Sequence, residues 1–130
     1  MITTNDLWPD FENVPTITSP RALLTEQANF LSQKTKNMLS AKVSISNTGD
    51  GRIANNFLIV APLLKNYTYN LFTLYHRAIY YPCHIMFNSV MTQIADEEDL
   101  KSILKNIFNS DKTKDIISSL LGQSKEFSEN

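Results

Sequence analysis

The sequence predicts an α+β fold: a single domain of order α-β-β-β-β-α-α, with helices packed on one face of a mainly antiparallel four-stranded sheet. Two patterns predict it. Apolar residues recur at three- and four-residue spacing near both ends of the chain, and they alternate with polar residues in the middle. Helices and strands are therefore grouped along the chain, whereas regular alternation of the two would favour a parallel sheet.

The length of 130 residues corresponds to one domain. We place this domain at residues 19–122, between an extended N-terminal arm (residues 1–18) and a polar C-terminal tail (residues 123–130). The sequence contains no internal repeat or Gly/Ser-rich linker that would indicate a second domain. A chain of this size can bury a sufficient core without disulfides or a structural metal.

The N-terminal arm is acidic and aromatic. It has three acidic residues and no basic residue, and its prolines interrupt any helical or strand period. Its large apolar residues are Leu7, Trp8, Phe11, Val14 and Ile17. Because exposing such side chains is costly, we expect the arm to pack on the core of its own chain. The alternative is that Trp8 and Phe11 anchor the chain on a partner protein, since tryptophan is enriched at binding hot spots.

The first helix is predicted over residues 20–40. Ser19 is a good N-cap, and Pro20 is favoured at the first helical position. Apolar residues then recur at three- and four-residue spacing from Leu24 to Met38. The opposite side of the helix is polar, so one sheet is enough to cover its apolar stripe.

Four strands are predicted between residues 43 and 87. The first contains Val43 and Ile45, and the others are Ile53–Ala61, Tyr67–His76 and Ile79–Phe87. The first two are joined by a turn at residues 47–51, where two glycines accept positive φ without strain. The junction Arg77-Ala78 has no Gly, Asn or Asp, so we expect a bulge or a longer bend there instead of a tight hairpin turn.

Two helices are predicted after the strands. Asp96 caps the first of them, and three further acidic residues occupy its first turn, where the helix dipole favours negative charge. Asn109, Ser110 and Asp111 end this helix and begin the second, which we expect to stop at Gly122.

Composition and charge exclude several classes of protein. A formal net charge of −1 argues against a general nucleic-acid binder, which needs a basic face. The single Cys83 removes any intrachain disulfide and any cysteine-based zinc framework. No apolar run approaches the ~20 residues of a membrane-spanning helix. Because the N-terminus also lacks the features of a secretion signal, we expect a cytoplasmic protein with no membrane partner.

His76, Cys83 and His84 form the only cluster with catalytic or metal-binding chemistry. A cysteine and a histidine can act as nucleophile and base, and two histidines with a cysteine can hold zinc. Neighbouring residues of a strand point to opposite faces, however, and a free cysteine is most often a small buried hydrophobic residue. We therefore interpret the three as structural and assign no catalytic residue, metal or cofactor. A pocket lined by them stays an alternative.

Tyrosines mark the third and fourth strands. Tyr67, Tyr69 and Tyr75 have the same parity on the third strand, so we expect them on one face of the sheet. With Arg77 and Tyr80 they are candidates for an interaction surface on the face that the helices leave uncovered, because tyrosine combines a rigid apolar ring with a polar end. The alternative is that they pack in cross-strand pairs.

The leading functional hypothesis is a small non-enzymatic protein that acts by protein–protein interaction, as an adaptor, inhibitor or regulator. The basic segment 19–47 and the acidic arm indicate contact within one chain or between two copies, and the edges of the sheet are open to a further strand. A small-molecule binder or enzyme that uses a sheet face lined by His, Cys and Tyr is the alternative. Single-stranded nucleic-acid binding is a third hypothesis, disfavoured by the shortage of basic residues.

Overall fold

The computed structural model describes residues 5–128 and shows one helix, five strands and two helices in that order. The helices are α1 (Pro20–Lys34), α2 (Glu97–Phe108) and α3 (Asp111–Ser128), and a short 3-10 helix spans Pro62–Leu64. The strands are β1 (Ser40–Asn47), β2 (Ile53–Ala61), β3 (Tyr67–His76), β4 (Cys83–Phe87) and β5 (Val90–Ile94). The predicted α+β class and element grouping are confirmed.

The strands form one antiparallel sheet, and each strand pairs with the next one along the chain. The prediction of four strands is wrong by one. The segment predicted as the fourth strand begins at Cys83 instead of Ile79, and β5 follows it as an additional edge strand. Asn88 and Ser89 form the tight connection between the two with φ of 50° and 65°. This turn carries no glycine, which is the usual sequence signal for such a conformation.

The turn between β1 and β2 is confirmed. Gly49 and Gly51 have φ of 85° and 88°, a conformation that L-residues rarely adopt. The Asn47 side chain accepts a hydrogen bond of 2.8 Å from the backbone N–H of Gly49, and the Asp50 carboxylate accepts bonds from Thr48 and from the Arg52 side chain. The hydrogen bond from Thr48 is the main reason that the pKa of Asp50 lies below its usual value.

The helices all pack on one face of the sheet, which we call the helix face. The register places Phe57, Leu74 and Ile85 on this face, and they join residues of all three helices in one core. The fully buried members of this core include Leu24 of α1, Leu100 of α2, Ile59 of β2 and Ile94 of β5. We call the opposite face, which carries no helix within residues 5–128, the open face.

Helix α1 begins as predicted but ends early. The Ser19 hydroxyl accepts a hydrogen bond of 3.1 Å from the backbone N–H of Ala22, which confirms the N-cap. The helix was predicted to reach residue 40, yet it stops at Lys34 because the chain turns back. The Thr35 hydroxyl donates to the Leu31 carbonyl (2.9 Å) and accepts from the backbone N–H of Leu39, so this one side chain closes the turn.

Helices α2 and α3 also agree with the sequence prediction, except at the C-terminal end of α3. Asp96 caps α2 by accepting a hydrogen bond of 2.8 Å from the backbone N–H of Asp99. Helix α3 continues through Gly122 to Ser128, and Ser124 is fully buried. The predicted tail is therefore helical over residues 123–128, and its last two residues lie outside the described part of the chain. None of the described helices has the length and hydropathy needed to cross a bilayer.

Candidate functional site

The tyrosines of β3 lie on two different faces. Tyr69 pairs with Ile59, which belongs to the helix face, whereas Tyr75 pairs with Ala54 on the open face. The register shifts between Phe57 and Leu58, so Leu71 is an extra residue on β3 and forms a β-bulge. The expectation that Tyr67, Tyr69 and Tyr75 share one surface is therefore wrong, because the bulge reverses the alternation between them.

Tyr67 and Tyr69 line a groove between β3 and α3. This groove of about 730 Å³ also contains Leu63, Ile116 and Phe127. Its charged lining residues are Lys65, Lys112 and Asp115, so both signs of charge are present. Nothing in this arrangement selects the charge of a ligand.

The other predicted interaction residues lie at the β3–β4 end of the sheet. The Arg52 guanidinium lies 4.8 Å from the centre of the Tyr75 ring, which is a cation–π contact. Arg77 donates a hydrogen bond of 3.3 Å to the Asp50 carbonyl, and Tyr80 meets the His76 ring edge-on at 5.5 Å. The Arg77 hydrogen bond connects the turn at residues 47–51 to the β3–β4 loop, whereas the contacts of Tyr75 and Tyr80 involve their rings.

The open face is mainly polar and internally hydrogen-bonded. The Thr73 hydroxyl donates to the Asn56 side-chain oxygen at 2.7 Å, and the Asn56 amide donates to the Ser44 hydroxyl at 3.2 Å. The Asn70 amide lies within hydrogen-bond distance of both Thr73 and Asn56. Because these side chains already satisfy one another, a ligand on this face would have to compete with existing bonds.

Cys83, His84 and His76 do not converge on one pocket. Cys83 is fully buried on the helix face, and His84 pairs with Tyr75 on the open face. His76 is also buried, and its Nδ1 donates a hydrogen bond of 2.7 Å to the Arg77 carbonyl. Burial, together with the negative charge of Asp99, raises the pKa of the Cys83 thiol to about 11. The thiol is therefore protonated at neutral pH, which is the opposite of an activated nucleophile.

No group of three His, Cys, Asp or Glu side chains within residues 5–128 is arranged to hold a metal ion. The acidic residues at the start of α2 have a structural role instead. Asp96 accepts from the backbone N–H of Asp99, and Asp99 in turn accepts from the backbone N–H of Ala95 at 2.9 Å. This reciprocal pair satisfies two backbone donors at the helix start.

Residues 5–18 of the N-terminal arm do not pack on the core. Leu7, Trp8 and Ile17 are 75–89% exposed, and Phe11 and Val14 are also exposed. The hydrogen bonds that involve residues 5–18 stay inside the arm: Asp6 and Asp10 each accept from a backbone N–H two residues on. The expectation that the arm covers its own core is therefore wrong for the described residues. Five large apolar side chains are left in water.

Another apolar surface lies on the helix face between α1 and the α2–α3 pair. This surface, which we call the helix groove, has a volume of about 660 Å³. Its floor is formed by the sheet residues Phe57, Ile59 and Leu71, and its apolar walls come from all three helices. The wall residues are Leu23, Phe30 and Leu31 of α1, Leu104 and Phe108 of α2, and Ile117 and Leu121 of α3.

The helix groove has a basic rim. Lys34 of α1, Lys101 and Lys105 of α2, and Lys114 of α3 line it, and no acidic residue does. Lys101 forms a salt bridge of 3.4 Å with Glu98, whereas the other three lysines form none within residues 5–128. The groove therefore combines an apolar interior with uncompensated positive charge. Such a surface favours a ligand that is both apolar and acidic.

Sequence reasoning missed the helix groove. Lys34 belongs to the basic segment 19–47, but the other rim lysines lie some 70 residues further along the chain and share no motif with it. Lys101 and Lys105 are four residues apart on α2 and therefore lie on the same side of that helix, beside Leu104 and Phe108. Only the packing of α1 beside α2 and α3 brings these charges together.

No protein-family model, curated protein or solved structure matches this chain.

Proposed function

We propose that this is a non-enzymatic binding protein that acts as an adaptor, inhibitor or regulator by holding an acidic, apolar segment of another protein chain in the helix groove. The observation that carries this proposal is the lysine rim around an apolar floor, without a single acidic lining residue. An apolar segment removes its side chains from water in the groove, and its carboxylates meet the rim.

The size of the groove supports a peptide segment as the ligand. A volume of about 660 Å³ is comparable to a pocket for a drug-sized molecule and accommodates a few large side chains. The groove is flanked by α1 along its length, so an extended or helical segment can lie alongside this helix. Because the rim lysines are mostly solvent-exposed, they steer and select the ligand more than they add affinity.

The other hypotheses have less support. Cys83 and His84 face opposite sides of the sheet, so a pocket shared by the two is not formed. The lysines surround an apolar floor and do not follow a continuous track of the kind that phosphate backbones require. We retain a cytoplasmic location as part of this proposal, because the lone cysteine is a free buried thiol.

Site-specific photocrosslinking tests the proposal. A photoreactive benzoylphenylalanine replaces Lys114 in the full chain, which is expressed in the cells that naturally make it. Ser46 on the open face is the control position, since it is also exposed. We expect an adduct of discrete mass from position 114 only, and a crosslinked peptide that contains both acidic and large apolar residues.

A charge reversal completes this experiment. Lys34→Glu with Lys105→Glu should reduce the adduct about tenfold without unfolding the chain, because both lysines are exposed and form no salt bridge within residues 5–128. Absence of an adduct at position 114, equal adducts at positions 114 and 46, or a crosslinked lipid or nucleic acid would contradict the proposal.

A further inference from the structure

We infer that the segment that occupies the helix groove is the N-terminal arm of a second copy of this chain, so that two chains exchange arms and form a dimer. This inference rests on the proposed function of the groove. It adds the identity of the ligand and the two-fold arrangement of the complex.

The arm has the chemistry that the groove selects. Asp6, Asp10 and Glu12 alternate with Trp8 and Phe11, and residues 5–18 contain no basic residue. The charges oppose those of the lysine rim, which has four lysines and no acid. The Trp8 and Phe11 rings lie 6.0 Å apart, so they already form a small apolar cluster that can enter the groove together.

The root of the arm lies beside the groove. Thr18, the last residue of the arm, lines a small gap together with Glu97 and Lys101, and this gap shares Leu23 and Lys101 with the helix groove. Pro20 is buried and fixes the point at which the arm leaves the domain. The arm of each copy therefore starts next to the groove of its own chain, which would hold the arm of the other copy.

The occupant is a second copy and not the arm of the same chain. Covalent attachment would give a chain's own arm a high effective concentration at its own groove. In the single chain, however, residues 5–17 line none of the grooves described above, and their apolar side chains remain exposed. Because each copy has one uncovered arm and one uncovered helix groove, reciprocal exchange covers both of these surfaces and closes the assembly with two-fold symmetry.

The area involved is sufficient for a dimer. Five large apolar side chains on each arm remove roughly 500 Å² of arm surface from water, and the groove, which exposes less surface than the arm, loses a smaller area. Two docked arms therefore bury more than about 1,000 Å², which reaches the lower limit for a specific protein–protein interface.

Trp8 provides a direct test, because it is the only tryptophan in the chain and its fluorescence reports the arm alone. Sedimentation velocity and tryptophan emission of the full chain are measured over a dilution series up to about 1 mM, where even weak dimers form. We expect a monomer–dimer equilibrium in which the emission shifts to shorter wavelength, and acrylamide quenches it less, as the dimer forms.

Two variants of the full chain separate the arm from the groove. Leu7→Ser with Phe11→Ser impairs the arm but keeps the reporter, and Lys105→Glu with Lys114→Glu impairs the groove. The dissociation constant of the dimer should be 10- to 100-fold higher for each variant alone than for the wild type. A 1:1 mixture should form a heterodimer with one intact contact, between the arm of the groove variant and the groove of the arm variant, whereas neither variant alone can form an intact contact.

Lys42→Glu with Lys112→Glu is the matched control, since it makes the same change in charge away from the helix groove and should leave dimerisation unchanged. A monomer at all concentrations, or two variants that fail to associate when mixed, would overturn the inference. Trp8 emission that is blue-shifted at every concentration would overturn it too, because the arm would then occupy the groove of its own chain. The photocrosslinking at Lys114 is still informative in each case, so failure of the dimer is distinguishable from failure of the groove.

Discussion

The rings of Phe57 and Phe72 stack across β2 and β3, with their centroids 5.0 Å apart and their planes 9° from parallel. Phe108 of α2 tilts against both rings, at 5.5 and 6.1 Å. The three side chains connect the middle of the sheet to α2, and Phe57 and Phe108 also line the helix groove. The integrity of the groove therefore depends on the same packing that stabilises the core.

We expect Phe72→Ala to lower the free energy of unfolding by about 3–5 kcal/mol, because it removes a fully packed ring and leaves a cavity beside Phe57 and Phe108. Urea unfolding followed by circular dichroism measures this loss. Phe127→Ala is the control: that ring is 59% exposed, and its loss should cost less than about 1 kcal/mol. Equal losses for the two variants would show that the stacked pair does not form the centre of the core.

Substitution by alanine should lower the stability of the protein at Gly51 and raise it at Gly122. Gly51 has φ of 88°, and a Cβ atom there would lie 3.0 Å from an Arg77 side-chain nitrogen, so Gly51→Ala should cost about 1–2 kcal/mol. Gly122 lies within α3 with no atom near the position of an added Cβ, so Gly122→Ala should stabilise the protein by about 0.5–1 kcal/mol. Thermal unfolding of both variants measures the difference, and destabilisation by Gly122→Ala would contradict a helix that continues through this position.

Thermal unfolding should also measure how much the Asp96 cap of α2 contributes to stability. Asp96→Ala removes the acceptor for the Asp99 backbone N–H and should cost about 1 kcal/mol, whereas Asp96→Asn keeps a capping oxygen and should cost a few tenths. If Asp96→Asn were as damaging as Asp96→Ala, the charge and not the hydrogen bond would be responsible.

The pKa of Cys83 predicts a loss of stability at alkaline pH. Because burial raises the pKa of the thiol from its ordinary value of 9.0 to about 11, the unfolded chain releases this proton at lower pH than the folded chain. The contribution of the protonated Cys83 thiol to the free energy of unfolding is therefore constant below pH 9 and is lost as the pH rises from 9 to 11. Tyr81, whose pKa burial and nearby negative charges raise to about 12, adds a further loss above pH 10.

Urea unfolding at pH 8 to 11 measures this dependence in the wild type and in Cys83→Ala. The variant should start from a lower stability, since a buried side chain is truncated, but its stability should fall less steeply between pH 9 and 11. Identical slopes would mean that the thiol does not ionise differently in the two states.

The features that the sequence predicted correctly depend on local signals. Ser19 and Asp96 cap helices wherever a helix follows, and the glycines at positions 49 and 51 indicate their turn without reference to the rest of the molecule. The end of α1 was missed because the Thr35 side chain closes the turn through bonds to residues on both sides, and threonine in a helix pattern does not signal such a stop.

The features that were missed depend on pairing and packing. No residue near Leu71 indicates a bulge, yet that one extra residue places Tyr69 and Tyr75 on opposite faces. The fifth strand was missed because Asn88 and Ser89 make its turn without glycine. The helix groove lies between α1 and the α2–α3 pair, which all five strands separate from α1 in the sequence, so neither its apolar floor nor its lysine rim has a local pattern.

Amide chemical shifts of the ¹⁵N-labelled full chain test the central claim most directly. The probe is a synthetic peptide of residues 5–18, added at low ionic strength to about 1 mM. The amides of Phe30 and Lys105 in the helix groove should shift, and those of His84 and Met91 on the far side of the sheet should not. A control peptide with its three acidic residues replaced by lysine should cause no shift. Shifts centred on His84 and Met91, or equal shifts with the lysine peptide, would show that the groove is not the binding surface.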